Sequence, residues 1–189
     1  MRITGGELAG RRIGVPPGDV RPTSDRVRES LFAILGDLSD CVVLDVFAGS
    51  GCLGFEALSR GAAFATFIDR APAAVSQIRA SGASLGLEDR IRTIRGEAAA
   101  ALKRLGREAG AVDLVFLDPP YAAGLAEPTL DAVVQSGILA PEGQVVVETD
   151  RRHPPASATG LHPEDQRTYG DTIITFFRSA AAAAKPIED

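Results

Sequence analysis

Residues 112–124 read VDLVFLDPPYAAG. An apolar run with the look of a fully buried strand ends in a single carboxylate, Asp118, followed by Pro119, Pro120 and Tyr121. Pro119 biases Asp118 toward extended backbone, and two successive prolines leave carbonyls with no competing N–H donors. The result is a stiff array of acceptors. An exocyclic amine on a nucleobase is a poor nucleophile, because its lone pair is delocalised into the ring. If Asp118 and the carbonyl of Pro119 accept its two hydrogens, the nitrogen moves toward tetrahedral geometry and the lone pair can be aimed at an electrophile. Such a displacement is assisted by positioning and electrostatics. Tyr121 would stack on the base, which must be unpaired or flipped to reach the pocket. Taken alone, Pro-Pro after a strand is more simply a rigid turn, so the rest of the chain has to decide.

The second stretch is LDVFAGSGCLG. Gly49, Gly51 and Gly54 satisfy GxGxxG between an apolar strand and a helix, and Asp69 ends the next strand twenty residues after Gly49. Glycines permit close backbone approach to a nucleotide, and an acid on the second strand can take both ribose hydroxyls. A merely structural tight turn is the plain alternative. Asp45 narrows the ligand: four residues before Gly49, it adds negative charge where a dinucleotide would need to place a pyrophosphate. An acid there suits a cationic ligand. S-adenosylmethionine has no phosphate and carries a sulfonium and an ammonium group, so Asp45 and the glycine turn can face its amino-acid part while Asp69 holds the ribose. Helix capping is the other use for Asp45, disfavoured because Ser50 could serve that purpose.

Alternating elements must position these residues. CVVLDVF reads as a strand, CLGFEALSRG as a helix closed by Gly61, and AFATFID as a second strand. APAAVSQIRASGASLG follows as a helix with Pro72 near its start, then IRTIRG as a strand, EAAAALKRLG as a helix and VDLVFLD as the fourth strand. Residues 127–136 make another helix and GQVVVET a fifth strand. This alternation predicts an α/β fold with a parallel sheet covered on both faces and ligands at the carboxyl ends of the strands. The rhythm then breaks. QRTYGDTIITFF offers two strands around Gly170-Asp171 with no crossover helix, an antiparallel pair at the sheet edge, and residues 180–189 read as a frayed tail. Upstream, RITGG and RRIGV suggest a short hairpin. TSDRVRESLFAIL has capping residues and then Val27, Leu31, Ile34 and Leu35 on one helical face, with arginines on the other.

Composition sets the class. The chain has 189 residues, 45% hydrophobic and 24% charged, and no apolar run of membrane-spanning length. MRITGGELAGRR shows neither a secretory signal nor an anchor, so a cytoplasmic location with no membrane contact is expected. Cys41 and Cys52 have no CxxC pairing, and with only His153 and His162 no metal site is expected; the two thiols read as reduced core residues. Net charge is −5, which argues against coating nucleic acid through a broadly basic surface. Residues 1–30 nevertheless carry +2 and the remainder −7, leaving a phosphate-binding patch and a solvated face about equal.

RITGGELAGRRI, RPTSDRVRESLF, LDVFAGSGCLGFEALSRGA, LVFLDPPY and the late YGDT together resemble the RsmD-like family of bacterial ribosomal RNA methyltransferases. The likeness covers nearly the whole chain. It implies a Rossmann-like, seven-stranded S-adenosylmethionine-dependent methyltransferase sheet, mostly parallel, with an antiparallel C-terminal edge pair. It further implies methylation of the exocyclic N2 of a guanine in small-subunit (16S) ribosomal RNA. Cofactor contacts are implied at Asp45, Phe47, Gly49, Ser50, Gly51 and Asp69, and catalysis at Asp118, Pro119, Pro120 and Tyr121. After the third strand the family pattern has Asp and a small residue at the adenine; here RGEAAA puts Glu97 and Ala98 there. Residues 1–36, with Arg11, Arg21 and Arg26, look like the family's RNA-facing extension, residues 37–179 like its methyltransferase domain. The expected partner is small-subunit RNA within an assembling or assembled subunit, met by a monomer. Competing readings are a DNA adenine or cytosine N-methyltransferase, for which a target-recognition segment is lacking, a nicotinamide oxidoreductase, which has no use for Pro-Pro-Tyr, and a non-catalytic RNA-binding assembly factor.

Overall fold

Runs of β-branched and aliphatic residues become strands, and glycines and prolines punctuate them. The computed structural model describes residues 1–17, 24–108, 110–120, 124–155 and 158–180. Within these the order is α1 (Asp25–Leu35), β1 (Val42–Val46), α2 (Cys52–Ser59), β2 (Phe64–Asp69), α3 (Pro72–Leu85), β3 (Ile91–Arg95), α4 (Ala98–Glu108), β4 (Val112–Leu117), α5 (Ala126–Ser136), β5 (Leu139–Asp150), β6 (Leu161–Tyr169) and β7 (Thr172–Ser179). The strand order across the seven-stranded sheet is β3-β2-β1-β4-β5-β7-β6. From α1 onward the predicted helices and strands are all present.

The chain divides into two units, Met1–Ala98 and Ala99–Asp189. In the first, β1, β2 and β3 pair in parallel, with Leu44 opposite Thr66 and Phe67 opposite Thr93. Crossover α3 starts on Pro72, whose missing N–H costs nothing at a first helical position. Leu44, Phe55, Leu58, Phe67 and Ile78 are buried there, and Ile3 and Ile13 from the arm are buried too. The expected hairpin is a single antiparallel bridge, Arg2 to Arg12, reinforced by Ile3 N–H to the Arg11 carbonyl at 2.9 Å.

Helix α1 begins as read, with the Ser24 hydroxyl accepting from Val27 N–H at 3.3 Å, but its buried face is rotated. Arg28, Leu31 and Phe32 are inside, while Ile34 is 40% exposed. The expectation that every arginine lies on the outer face therefore fails at Arg28. Its guanidinium donates to the Arg2 carbonyl at 2.8 Å and to Asp25 at 2.6 Å, and those partners let the residue go under.

In the second unit β4 and β5 pair in parallel, Val115 opposite Val145, whereas β7 runs antiparallel to both β5 and β6. Gly170, at φ 61°, makes the reversal. β6 is the edge strand, and it carries Pro163 at an irregularity of register, where a missing donor is tolerated. Leu102, Val115, Phe116, Leu130, Val146, Phe176 and Phe177 form the buried centre. Residues 181–189 of the expected tail lie outside the described residues.

Candidate active site

The glycine turn is built from left-handed backbone. Gly49 has φ 55°, Gly51 φ 78°, and Phe47, a residue for which this region is unfavourable, φ 64°. Such strain persists where surrounding contacts over-determine it. Here the turn is fastened from β2: Asp69 accepts Gly49 N–H through Oδ2 and Ala71 N–H through Oδ1, both at 2.8 Å. Ala48 N–H adds a bond to the Ile68 carbonyl at 3.0 Å. Gly54 serves differently, because a Cβ there would run into the Phe67 ring, whose centroid lies 5.0 Å from that of Phe55 with the rings tilted by 37°. The third glycine thus sets how closely α2 lies on β2.

Asp45 is 2% exposed, and its Oδ2 accepts Gly54 N–H at 2.9 Å. Gly51, at the N-cap, has no side chain to satisfy the first turn of α2, so Asp45 does this from β1. The capping role that sequence reasoning assigned to Ser50 is therefore filled by Asp45; the Ser50 hydroxyl instead lies 3.8 Å from the Met1 sulfur. Burial pushes the Asp45 carboxyl up to about 7, against the pull of Gly54 N–H, with Asp69 adding to the rise. A cation placed beside these two acids would offset the burial and the mutual repulsion that disfavour ionisation, whereas a phosphate would add to the repulsion. The donor set fits S-adenosylmethionine: a backbone turn open to close approach, acids for its positive groups, and Asp69 with lone pairs left for ribose. Ser50 is buried, Phe47 half-buried and Glu97 exposed just after β3, while Ala98 opens α4 and is buried.

In the second unit Asp118 follows β4 directly and is half-buried, Pro119 is buried and Pro120 exposed. Tyr121 lies outside the described residues. Beside the prolines a cleft opens with about 370 Å³ of empty space, its mouth included, reached by Leu125 and Glu127 from the start of α5 and by Thr149, Asp150 and His153 from the end of β5. Asp150 carries Arg152 on both oxygens, at 3.0 and 2.6 Å, which holds its carboxyl far below the usual range.

Of the expected RNA-facing arginines, Arg11 and Arg26 are exposed and Arg21 lies outside the described residues. Arg11 donates to the Ser84 carbonyl at 2.8 Å. Sequence reasoning missed what fastens the arm. Glu56, fully buried on α2, accepts Thr4 N–H, the Thr4 hydroxyl and Gly5 N–H at 2.7–2.8 Å and pairs with Arg60 at 2.9 Å. Arg60 in turn lies 5.1 Å over the Phe32 ring, tying α1 to the same point. An acid on the otherwise apolar CLGFEALS was the available signal. Cys41 and Cys52 form no disulfide and are half-buried, not in the core as read. Among the described residues no group of three or more His, Cys, Asp or Glu side chains could hold a metal ion, and no helix is long and apolar enough to cross a membrane.

A family model described as Conserved hypothetical protein 95 matches residues 1–178. Ribosomal RNA small subunit methyltransferase D of Escherichia coli K12 is 42% identical over 153 residues, 79% of this chain and 75% of that protein. Its Haemophilus influenzae namesake is 34% identical over 158 residues, 82% of this chain and 81% of the other. A solved Escherichia coli structure described as "Putative methyltransferase yhhF" superposes with a TM-score of 0.82 at 35% identity, covering 95% of this chain and 97% of that one.

Proposed function

The chain belongs to the RsmD-like methyltransferase family, and from that membership we propose that it methylates the exocyclic N2 amine of a guanine in small-subunit ribosomal RNA. The observation that carries the reading is Asp118-Pro119-Pro120-Tyr121 set directly after β4. S-adenosylmethionine, when bound, supplies a methyl group on a positively charged sulfur. The chain supplies the rest. Phe47, Gly49, Ser50 and Gly51 form the turn that cradles the cofactor's amino-acid end beside Asp45, Asp69 takes the ribose, and Glu97 and Ala98 stand by the adenine.

Asp118 and the Pro119 carbonyl accept the two hydrogens of the guanine amine, which localises the nitrogen lone pair for attack. The nitrogen gains a methyl and sheds one proton, for which the Asp118 carboxylate is the acceptor at hand. Pro120 stiffens this acceptor array, and Tyr121 stacks on the extruded base. Residues 1–36 form the RNA-facing extension, with Arg11, Arg21 and Arg26 on phosphates, and residues 37–179 the methyltransferase part. With a net charge of −5, affinity for free RNA is weak. The substrate is RNA folded in an assembling or assembled subunit, met in the cytoplasm by a monomer.

The test is transfer of labelled methyl to small subunits lacking their native modifications, followed by digestion and mass spectrometry of the nucleosides. N2-methylguanosine is expected, and Asp118→Ala should abolish it while cofactor binding persists. Label in DNA alone, or full activity of the Asp118→Ala protein, refutes the proposal.

A further inference from the structure

Thr149 lies in β5, opposite Ile173 of β7, directly after the buried run Val145–Val147 and buried Glu148. It is only 7% exposed, and its hydroxyl finds no hydrogen-bond partner among the described residues. A buried hydroxyl without a partner costs a protein stability that an isosteric valine would return. The strand around it is already valine-rich. A hydroxyl kept here at a loss to the free protein signals use by something that arrives later.

Thr149 also lines the cleft beside Pro119 and Pro120. In this rotamer the hydroxyl oxygen is buried, and a change to another staggered χ1 well would turn it toward the cleft without backbone movement. The remaining polar lining is unequal. Glu127 and Asp150 are carboxylates, which accept only, and among the described lining residues the one other donor side chain, His153, is exposed. The deep donor is Thr149.

Resting on the guanine reading above, we propose that this cleft receives the target base and that the Thr149 hydroxyl donates to its O6. The edge of guanine that carries the N2 amine presents N1–H in the middle and O6 at the far end. With the amine held by Asp118 and Pro119, carboxylates can serve N1–H, but O6 requires a donor. Thr149 is thereby a substrate-binding residue, distinct from the groups that hold the reacting nitrogen.

The test uses small subunits reconstituted with either guanosine or 2-aminopurine riboside at the methylated position. The analogue keeps the N2 amine but lacks both O6 and the N1 proton. On guanosine, Thr149→Val should slow single-turnover methylation about tenfold, the effect of one hydrogen bond, and Thr149→Ser should restore it. On 2-aminopurine, which loses the O6 and the N1–H contacts together, the wild type should already be more than about tenfold slower and Thr149→Val should cost nothing further. Thermal unfolding of Thr149→Val should occur at or above the wild-type temperature, which a merely structural role would not give. Equal rates for wild type and Thr149→Val on guanosine, or equal losses on both RNAs, overturn the inference and leave the functional reading standing. No methylation of guanosine by the wild type overturns the functional reading, and the inference with it.

Discussion

Replacing Asp45 by asparagine tests the electrostatics of the glycine turn. In the folded chain the carboxyl titrates at about 7, against a usual 3.8. At about 1.4 kcal/mol per pKa unit, ionised Asp45 costs the folded state about 4 kcal/mol. Below pH 4 the group is neutral in folded and unfolded chains alike and the cost is absent. Between pH 4 and 7 the unfolded chain ionises while the folded one keeps its proton, so stability falls as pH rises and levels off above 7. Asp45→Asn retains an acceptor for Gly54 N–H and removes the charge. Its stability relative to wild type should climb from pH 4 to pH 8 by about 4 kcal/mol, with any fixed cost of the new amide hydrogens shifting the whole curve equally. Urea unfolding across that pH range, without added cofactor, reads the difference directly. A difference that stays flat with pH would refute the reasoning, because it would mean that burial does not penalise the charge.

Two further substitutions test the packing around the turn. Glu56→Ala strips partners from Thr4 N–H, Gly5 N–H and Arg60 at once, and urea denaturation should show a loss of about 3–5 kcal/mol. Glu56→Gln, which keeps the acceptor, should lose less. Gly54→Ala drives a methyl into the Phe67 ring and should cost about 1–3 kcal/mol. Much of that should return in the double variant with Phe67→Leu, and simple additivity of the two changes would contradict the contact.

Sequence reasoning succeeded where a residue's role depends on near neighbours in the chain. Strand-helix alternation, the Pro72 start of α3 and the reversal at Gly170 are local decisions, and so is the GxGxxG turn whose Gly49 and Gly51 adopt left-handed backbone. It failed where burial is made possible from a distance. Arg28 goes inside because the Arg2 carbonyl, 26 residues away, receives it. Asp45 caps α2 from β1, nine residues before its donor, although Ser50 stands closer in sequence. Thr149 looks like any strand threonine until its neighbours are seen to offer its hydroxyl nothing.

The fastening of the arm bears on the order of synthesis. Thr4 and Gly5 find their acceptors on Glu56, 52 and 51 residues later in the chain. During translation the arm, with apolar Ile3 and Ile13, therefore emerges long before the helix that will receive it, and at usual elongation speeds the wait lasts several seconds. Through that interval the segment is available to chaperones. A stall before α2 has left the ribosome would hold it there, whereas a later one would let it close.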